Sequence, residues 1–132
     1  MLFIVFLAIQ LFSERVEGTY FNCAGPPENG DWVIETDITQ PASVCNETIH
    51  LNGNLTLKSG VLTLSHTVIV MRENATKYNI VAENGTILNI GNCTIRGENS
   101  NATYGLIAMH SSFVTITNSN FSELGYIPAM NL

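Results

Sequence analysis

Apolar and polar positions along this chain recur at a step of 26 residues. Leu62-Thr63-Leu64-Ser65-His66-Thr67-Val68-Ile69 aligns with Leu88-Asn89-Ile90-Gly91-Asn92-Cys93-Thr94-Ile95, and again with Val114-Thr115-Ile116-Thr117-Asn118-Ser119-Asn120-Phe121. Tyr78-Asn79-Ile80-Val81-Ala82 recurs at the same step as Tyr104-Gly105-Leu106-Ile107-Ala108. A fixed period of this length is the mark of a stacked-repeat architecture.

Within each unit the text is short strand, turn, short strand. Residues 48–51, 55–57, 61–64 and 68–71 are runs of Leu and β-branched residues. Asn52-Gly53-Asn54 and Lys58-Ser59-Gly60 separate them, and no stretch after residue 18 has helical periodicity. Residues 32–39 alternate, with Trp32, Ile34, Thr36 and Ile38 on one face, and predict a half-buried strand ended by Pro41. Residues 19–30 read as loop. Strands this short do not make free-standing hairpins. They do make the coils of a parallel β-helix, where each strand pairs with its counterpart one repeat later. The expected fold is therefore all-β, a right-handed parallel β-helix of about three to four coils. A β-meander sandwich would not need the 26-residue register.

The register predicts which side chains face inward. Leu62, Leu88 and Val114 form one row; Leu64, Ile90 and Ile116 a second; Ile69, Ile95 and Phe121 a third. Ile80 with Leu106, and Ala82 with Ala108, complete the set. His66, Asn92 and Asn118 occupy one turn position, where Asn tolerates a left-handed backbone and stacked amides can bond along the row. One further coil fits upstream if Gly60 matches Gly85 at a step of 25.

Leu2 to Phe12 is an apolar run interrupted only by Gln10, too short to span a bilayer. With Val16 and Gly18 before Thr19, it reads as a secretory signal over residues 1–18. Export makes disulfides permissible. Cys23 and Cys45 both precede the repeats and are expected to bridge, stapling a segment over 19–48 that leads into the coils of 49–132. Cys93 shares its repeat position with Thr67 and Ser119 and reads as a packed thiol. Seven Asn-x-Ser/Thr triplets place glycan acceptors at Asn46, Asn54, Asn74, Asn84, Asn92, Asn101 and Asn120. Of these, Asn92 is the one expected to turn inward.

Only 12% of residues are charged and the net charge is −6, with Asn, Thr and Ser supplying the polar surface. A nucleic-acid partner would need a basic stripe. Glu73, Glu98 and Glu123 fall 25 apart, beside Arg72 and Arg96, so they are expected on successive coils at one bend. Paired carboxylates can do acid/base work or hold Ca²⁺; solvated turn charges and an Arg72–Glu98 ion pair are the plainer expectation. His50, His66 and His110 have no metal-ligand spacing, and no cofactor motif is visible. Tyr78 and Tyr104 stack in register, as packing or as an aromatic strip for sugar rings.

The coil segments from Leu62 to Phe121, with the approach through Gly30-Asp31-Trp32-Val33-Ile34 and Asn46-Glu47-Thr48-Ile49-His50-Leu51-Asn52-Gly53-Asn54-Leu55-Thr56-Leu57, resemble right-handed parallel β-helix proteins of the pectin-lyase-like superfamily. The style is that of NosD-like and archaeal cell-surface repeat proteins. The resemblance implies fold rather than activity, and the catalytic residues of its enzymes have no matching positions here. The expected function is a secreted or cell-surface module with a structural, adhesive or carbohydrate-binding role, partnered by polysaccharide or other surface proteins. The alternatives are part of a polysaccharide lyase or hydrolase, or a NosD-like periplasmic accessory protein. The end at Pro128-Ala129-Met130-Asn131-Leu132 has no polar cap. The coils are therefore expected to continue in a longer chain or to stack end to end on a partner.

Overall fold

The computed structural model describes residues 19–125. The expected signal segment and the C-terminal seven residues, 126–132, lie outside that range. Among the described residues there are thirteen strands and no helix: β1 Thr19–Phe21, β2 Trp32–Glu35, β3 Ala42–Cys45, β4 Thr48–Leu51, β5 Leu55–Ser59, β6 Val61–Ser65, β7 Val68–Met71, β8 Asn79–Ala82, β9 Ile87–Gly91, β10 Thr94–Gly97, β11 Gly105–Ala108, β12 Phe113–Thr117 and β13 Asn120–Phe121.

They wind into a β-solenoid with three sheets. Sheet A runs β1-β3-β6-β9-β12, sheet B β4-β7-β10-β13 and sheet C β2-β5-β8-β11. Every pairing is parallel except β1 with β3. The 26-residue register is realised pair by pair: Leu62 on Leu88 on Val114, Leu64 on Ile90 on Ile116, Ile69 on Ile95 on Phe121, Ile80 on Leu106 and Ala82 on Ala108. The step of 25 appears on sheet C, where Leu55 stands on Ile80. The first coil is tighter: Ala42 stands on Leu62 and Thr48 on Val68, a step of 20.

The inward rows form the core. Leu62, Leu64, Ile69, Ile80 and Ala82 are all fully buried. Each such Leu or Ile stabilises by about 1.5–3 kcal/mol through burial. β2 and β3, within residues 19–48, already belong to this stack: Trp32, Ile34, Ala42 and Val44 are buried in it. β1 lies antiparallel across the first coil and brings Tyr20 against the core.

Three local expectations are corrected. The alternation over 32–39 continues as strand only to Glu35. Beyond it a tight loop closes, in which the Thr36 hydroxyl donates to the Gln40 carbonyl and Asp37 Oδ1 accepts the Thr39 N–H at 3.1 Å. Ile38 therefore ends exposed. Residues 19–21 are strand rather than loop, because the ladder to β3 uses their backbone groups. The Cys23–Cys45 bridge is not formed: Cys23, Cys45 and Cys93 are free thiols. The antiparallel register explains it. Thr19, not Cys23, stands opposite Cys45. Cys23 lies past the other end of the ladder, after Asn22 turns the chain at φ 55°.

Candidate functional site

A solenoid offers its outward strand faces, and the three differ in chemistry. Inward Leu62 and Leu64 put Val61, Thr63 and Ser65 outward, since successive side chains alternate across a strand. Stacking carries this through sheet A. One outward column is Ser43, Thr63, Asn89, Thr115; the next is Cys45, Ser65, Gly91, Thr117. Coils stand about 4.8 Å apart and alternate residues about 6.7 Å apart along a strand. The outward positions of sheet A hold no charged residue. Sheet C instead shows Glu35 and Lys58, the one ion pair among the described residues, at 3.9 Å. Sheet B shows His50 and Arg96.

Within sheet A the Asn89 amide Nδ2 donates to Thr63 Oγ1 at 3.4 Å. At one margin the chain bends through Asn46, His66, Asn92 and Asn118, at φ 57°, 48°, 55° and 48°. Asn46 is thus a member of the turn row that the shorter first coil hid from a 26-residue comparison. Among the described residues the row is tied through backbone rather than amide to amide. The Asn46, His66 and Asn92 N–H groups donate to the Ser65, Gly91 and Thr117 carbonyls at 3.2, 3.2 and 3.0 Å. Asn92 is exposed, not inward, because its left-handed backbone swings the side chain out.

Just inside that bend runs a second column, Thr67, Cys93 and Ser119. The Thr67 hydroxyl donates to the Ser65 carbonyl, Cys93 Sγ to Gly91 and the Ser119 hydroxyl to Thr117. Cys93 is buried, and burial pushes its thiol pKa up. It is the packed thiol that its neighbours imply.

At the far margin of sheet A lies a shallow open groove of about 610 Å³. Glu35, Thr36, Asp37, Ile38, Ser59, Gly60 and Gly85 line it.

The acidic residues divide. Glu73 and Glu98 do meet on adjacent coils: a Glu98 carboxylate oxygen accepts the Glu73 N–H at 2.6 Å, and Glu73 Oε2 accepts the Asn99 amide at 3.2 Å. The Arg72–Glu98 pair is not formed, because Glu98 is spent on that backbone cap. Glu123 stands apart. It follows β13 at φ 62°, where its carbonyl accepts the Tyr104 N–H at 3.3 Å. There one carboxylate oxygen is buried without a hydrogen-bond partner. No three His, Cys, Asp or Glu converge among the described residues.

Sequence reasoning missed a side-chain ladder on the bend before sheet C. Asp31 Oδ1 accepts the Asn54 N–H at 2.9 Å, and Asn54 Oδ1 accepts the Asn79 N–H at 2.7 Å. The 23- and 25-residue steps conceal it from a 26-residue alignment. Tyr78 belongs beside this ladder, with its hydroxyl held between Asn74 and Asn52. Tyr104 is fully buried and donates to the Ile95 carbonyl at 2.9 Å, so the two tyrosines are packing rather than an exposed strip. No family model, curated protein or solved structure matches this chain.

Proposed function

We propose that this is an exported, non-catalytic β-helix module of the pectin-lyase-like kind that binds neutral polysaccharide across the outward face of sheet A. The observation that carries the reading is the uncharged double column of Ser43, Thr63, Asn89 and Thr115 beside Cys45, Ser65, Gly91 and Thr117. Hydroxyl and amide groups both donate and accept, which is what sugar hydroxyls require. A flat surface suits a chain or sheet of sugars better than a single small molecule in a deep pocket. The net charge of −6 weighs against acidic polysaccharides. A cleaving role has less support, because Glu73 and Glu98 are occupied by hydrogen bonds and one carboxylate oxygen of Glu123 is buried.

The test is co-sedimentation with insoluble cellulose, chitin and β-1,3-glucan, with polygalacturonate as the acidic comparison. At least one neutral polymer should retain the protein. The double variant Thr63→Lys, Asn89→Lys should lose at least about tenfold in affinity. Equal retention of parent and variant, or release of sugar that disappears in Glu98→Gln, would sink the reading.

A further inference from the structure

We infer that Asn46, Asn84 and Asn92 carry N-linked glycans, which stand along the two margins of sheet A and leave its face open. The inference rests on the export reading above. Each is the acceptor of an Asn-x-Thr triplet, namely Asn46-Glu47-Thr48, Asn84-Gly85-Thr86 and Asn92-Cys93-Thr94. Each side chain is exposed.

Their placement in the fold is not arbitrary. Of the seven triplets, none has its Asn on a strand of sheet A. Asn46 and Asn92 directly follow β3 and β9, at one bend. Their positive φ angles turn them out of the strand line. The coil carrying His66 lies between them, so the two acceptors are two coil steps apart, about 10 Å. That spacing leaves room for two sugar chains where adjacent coils would crowd them. Asn118, on the next coil, has no hydroxyl residue two positions on.

Asn84 sits on the opposite margin, at the tip of the turn that leads into β9. The Thr86 N–H donates to the Glu83 carbonyl there at 3.2 Å, and Gly85 at φ 76° has open space around it. Asn54 and Asn74 contrast with these three. Asn54 Oδ1 is engaged by the Asn79 N–H, and Asn74 Nδ2 donates to the Tyr78 hydroxyl at 2.8 Å.

The chemistry needs a lipid-pyrophosphate-linked oligosaccharide as donor. Asn Nδ2 forms a bond to C1 of the first sugar while the bond from C1 to the pyrophosphate oxygen breaks. The lipid pyrophosphate leaves with the electron pair, and Nδ2 gives up one of its two protons. The product is neutral and bulky. Placed on the bends, it blocks sideways association there without covering the flat array of Ser, Thr and Asn between them.

The test is expression of the full chain in a eukaryotic secretory cell, followed by glycopeptide mapping before and after peptide-N-glycosidase. That enzyme converts each occupied Asn to Asp. Occupancy is expected at Asn46, Asn84 and Asn92. Thr48→Val, Asn84→Gln and Thr94→Val should each remove one glycan; the two Thr variants keep the left-handed Asn residues and so the bend. Secreted protein bare at these three positions overturns the inference and leaves export standing. Protein that stays in the cytosol with its N-terminus uncleaved overturns both.

Discussion

The Tyr20 ring stands edge-on to Trp32, with centroids 6.2 Å apart and planes at 77°. The indole N–H of Trp32 donates to the Ala24 carbonyl at 3.0 Å. Together they close the first coil, where Trp32, Ile34, Ala42, Val44, Ile49 and Leu51 are all buried. The last coil has no such lid among the described residues. Ile116 continues the buried row of Leu64 and Ile90 yet is 44% exposed. Trp32→Ala should therefore cost about 3–5 kcal/mol in chemical denaturation, and Tyr20→Phe much less. A Trp32→Ala loss below about 1 kcal/mol would mean that the lid contributes little.

Gly60 and Gly85 have similar backbones, at φ 83° and 76°, but different surroundings. A Cβ on Gly60 would run into the Thr36 carbonyl, whereas one on Gly85 meets open space. Gly85→Ala should carry only the left-handed backbone cost of about 1–2 kcal/mol. Gly60→Ala should cost clearly more, and thermal unfolding of the two variants checks it. Equal losses would show that the loop at Thr36 yields freely.

In the turn row His66 is the residue least suited to its φ of 48°, with Asn at the three equivalent positions. His66→Asn should leave stability unchanged or raise it by a few tenths of a kcal/mol. Asn92→Val, a β-branched residue in the same conformation, should lose about 1–2 kcal/mol. A destabilised His66→Asn would mean that the imidazole makes a contact of its own.

Burial first, and then the charge of Glu123, raise the Tyr104 pKa above its ordinary value of 10.0. A raised folded pKa means that the native state holds the phenolic proton more tightly than the unfolded chain. That contribution is complete below about pH 10 and is lost as pH climbs through the folded value. Tyr104→Phe should lower stability at neutral pH by about 1–3 kcal/mol, since the buried Ile95 carbonyl loses its donor. The difference between parent and variant should then shrink above pH 10. Denaturation curves at pH 7 and at stepped alkaline pH measure it; a constant difference would show that Tyr104 has the same pKa in the folded and unfolded states.

How far the sequence was legible follows from where the step was constant. From Val61 onward each coil repeats at 26, so Leu62, Leu64 and Ile69 could be set on their partners by counting. Upstream, the steps of 20 and 23 break the count, and β3 and the Asn46 turn were not seen. β1 could not be found by period at all, because it pairs antiparallel and has no counterpart coil. At the acidic bend, counting at 25 brought Glu73 and Glu98 together correctly but misplaced Glu123. The short strand β13 holds the step of 26 rather than 25, and Glu123 turns after it at φ 62° with one carboxylate oxygen buried.

Hydrogen-bonded strand neighbours lie only one coil up or one coil down. Residues 61–86 make one whole unit whose two ends meet equivalent partners, since Val61 stands on Ile87. An in-frame duplication of those 26 codons would thus add a coil, about 4.8 Å of length, and leave Tyr20, Trp32 and the first coil untouched. The gene for such a fold can change the reach of its product in whole coils, while the side chains exposed along sheet A keep their spacing.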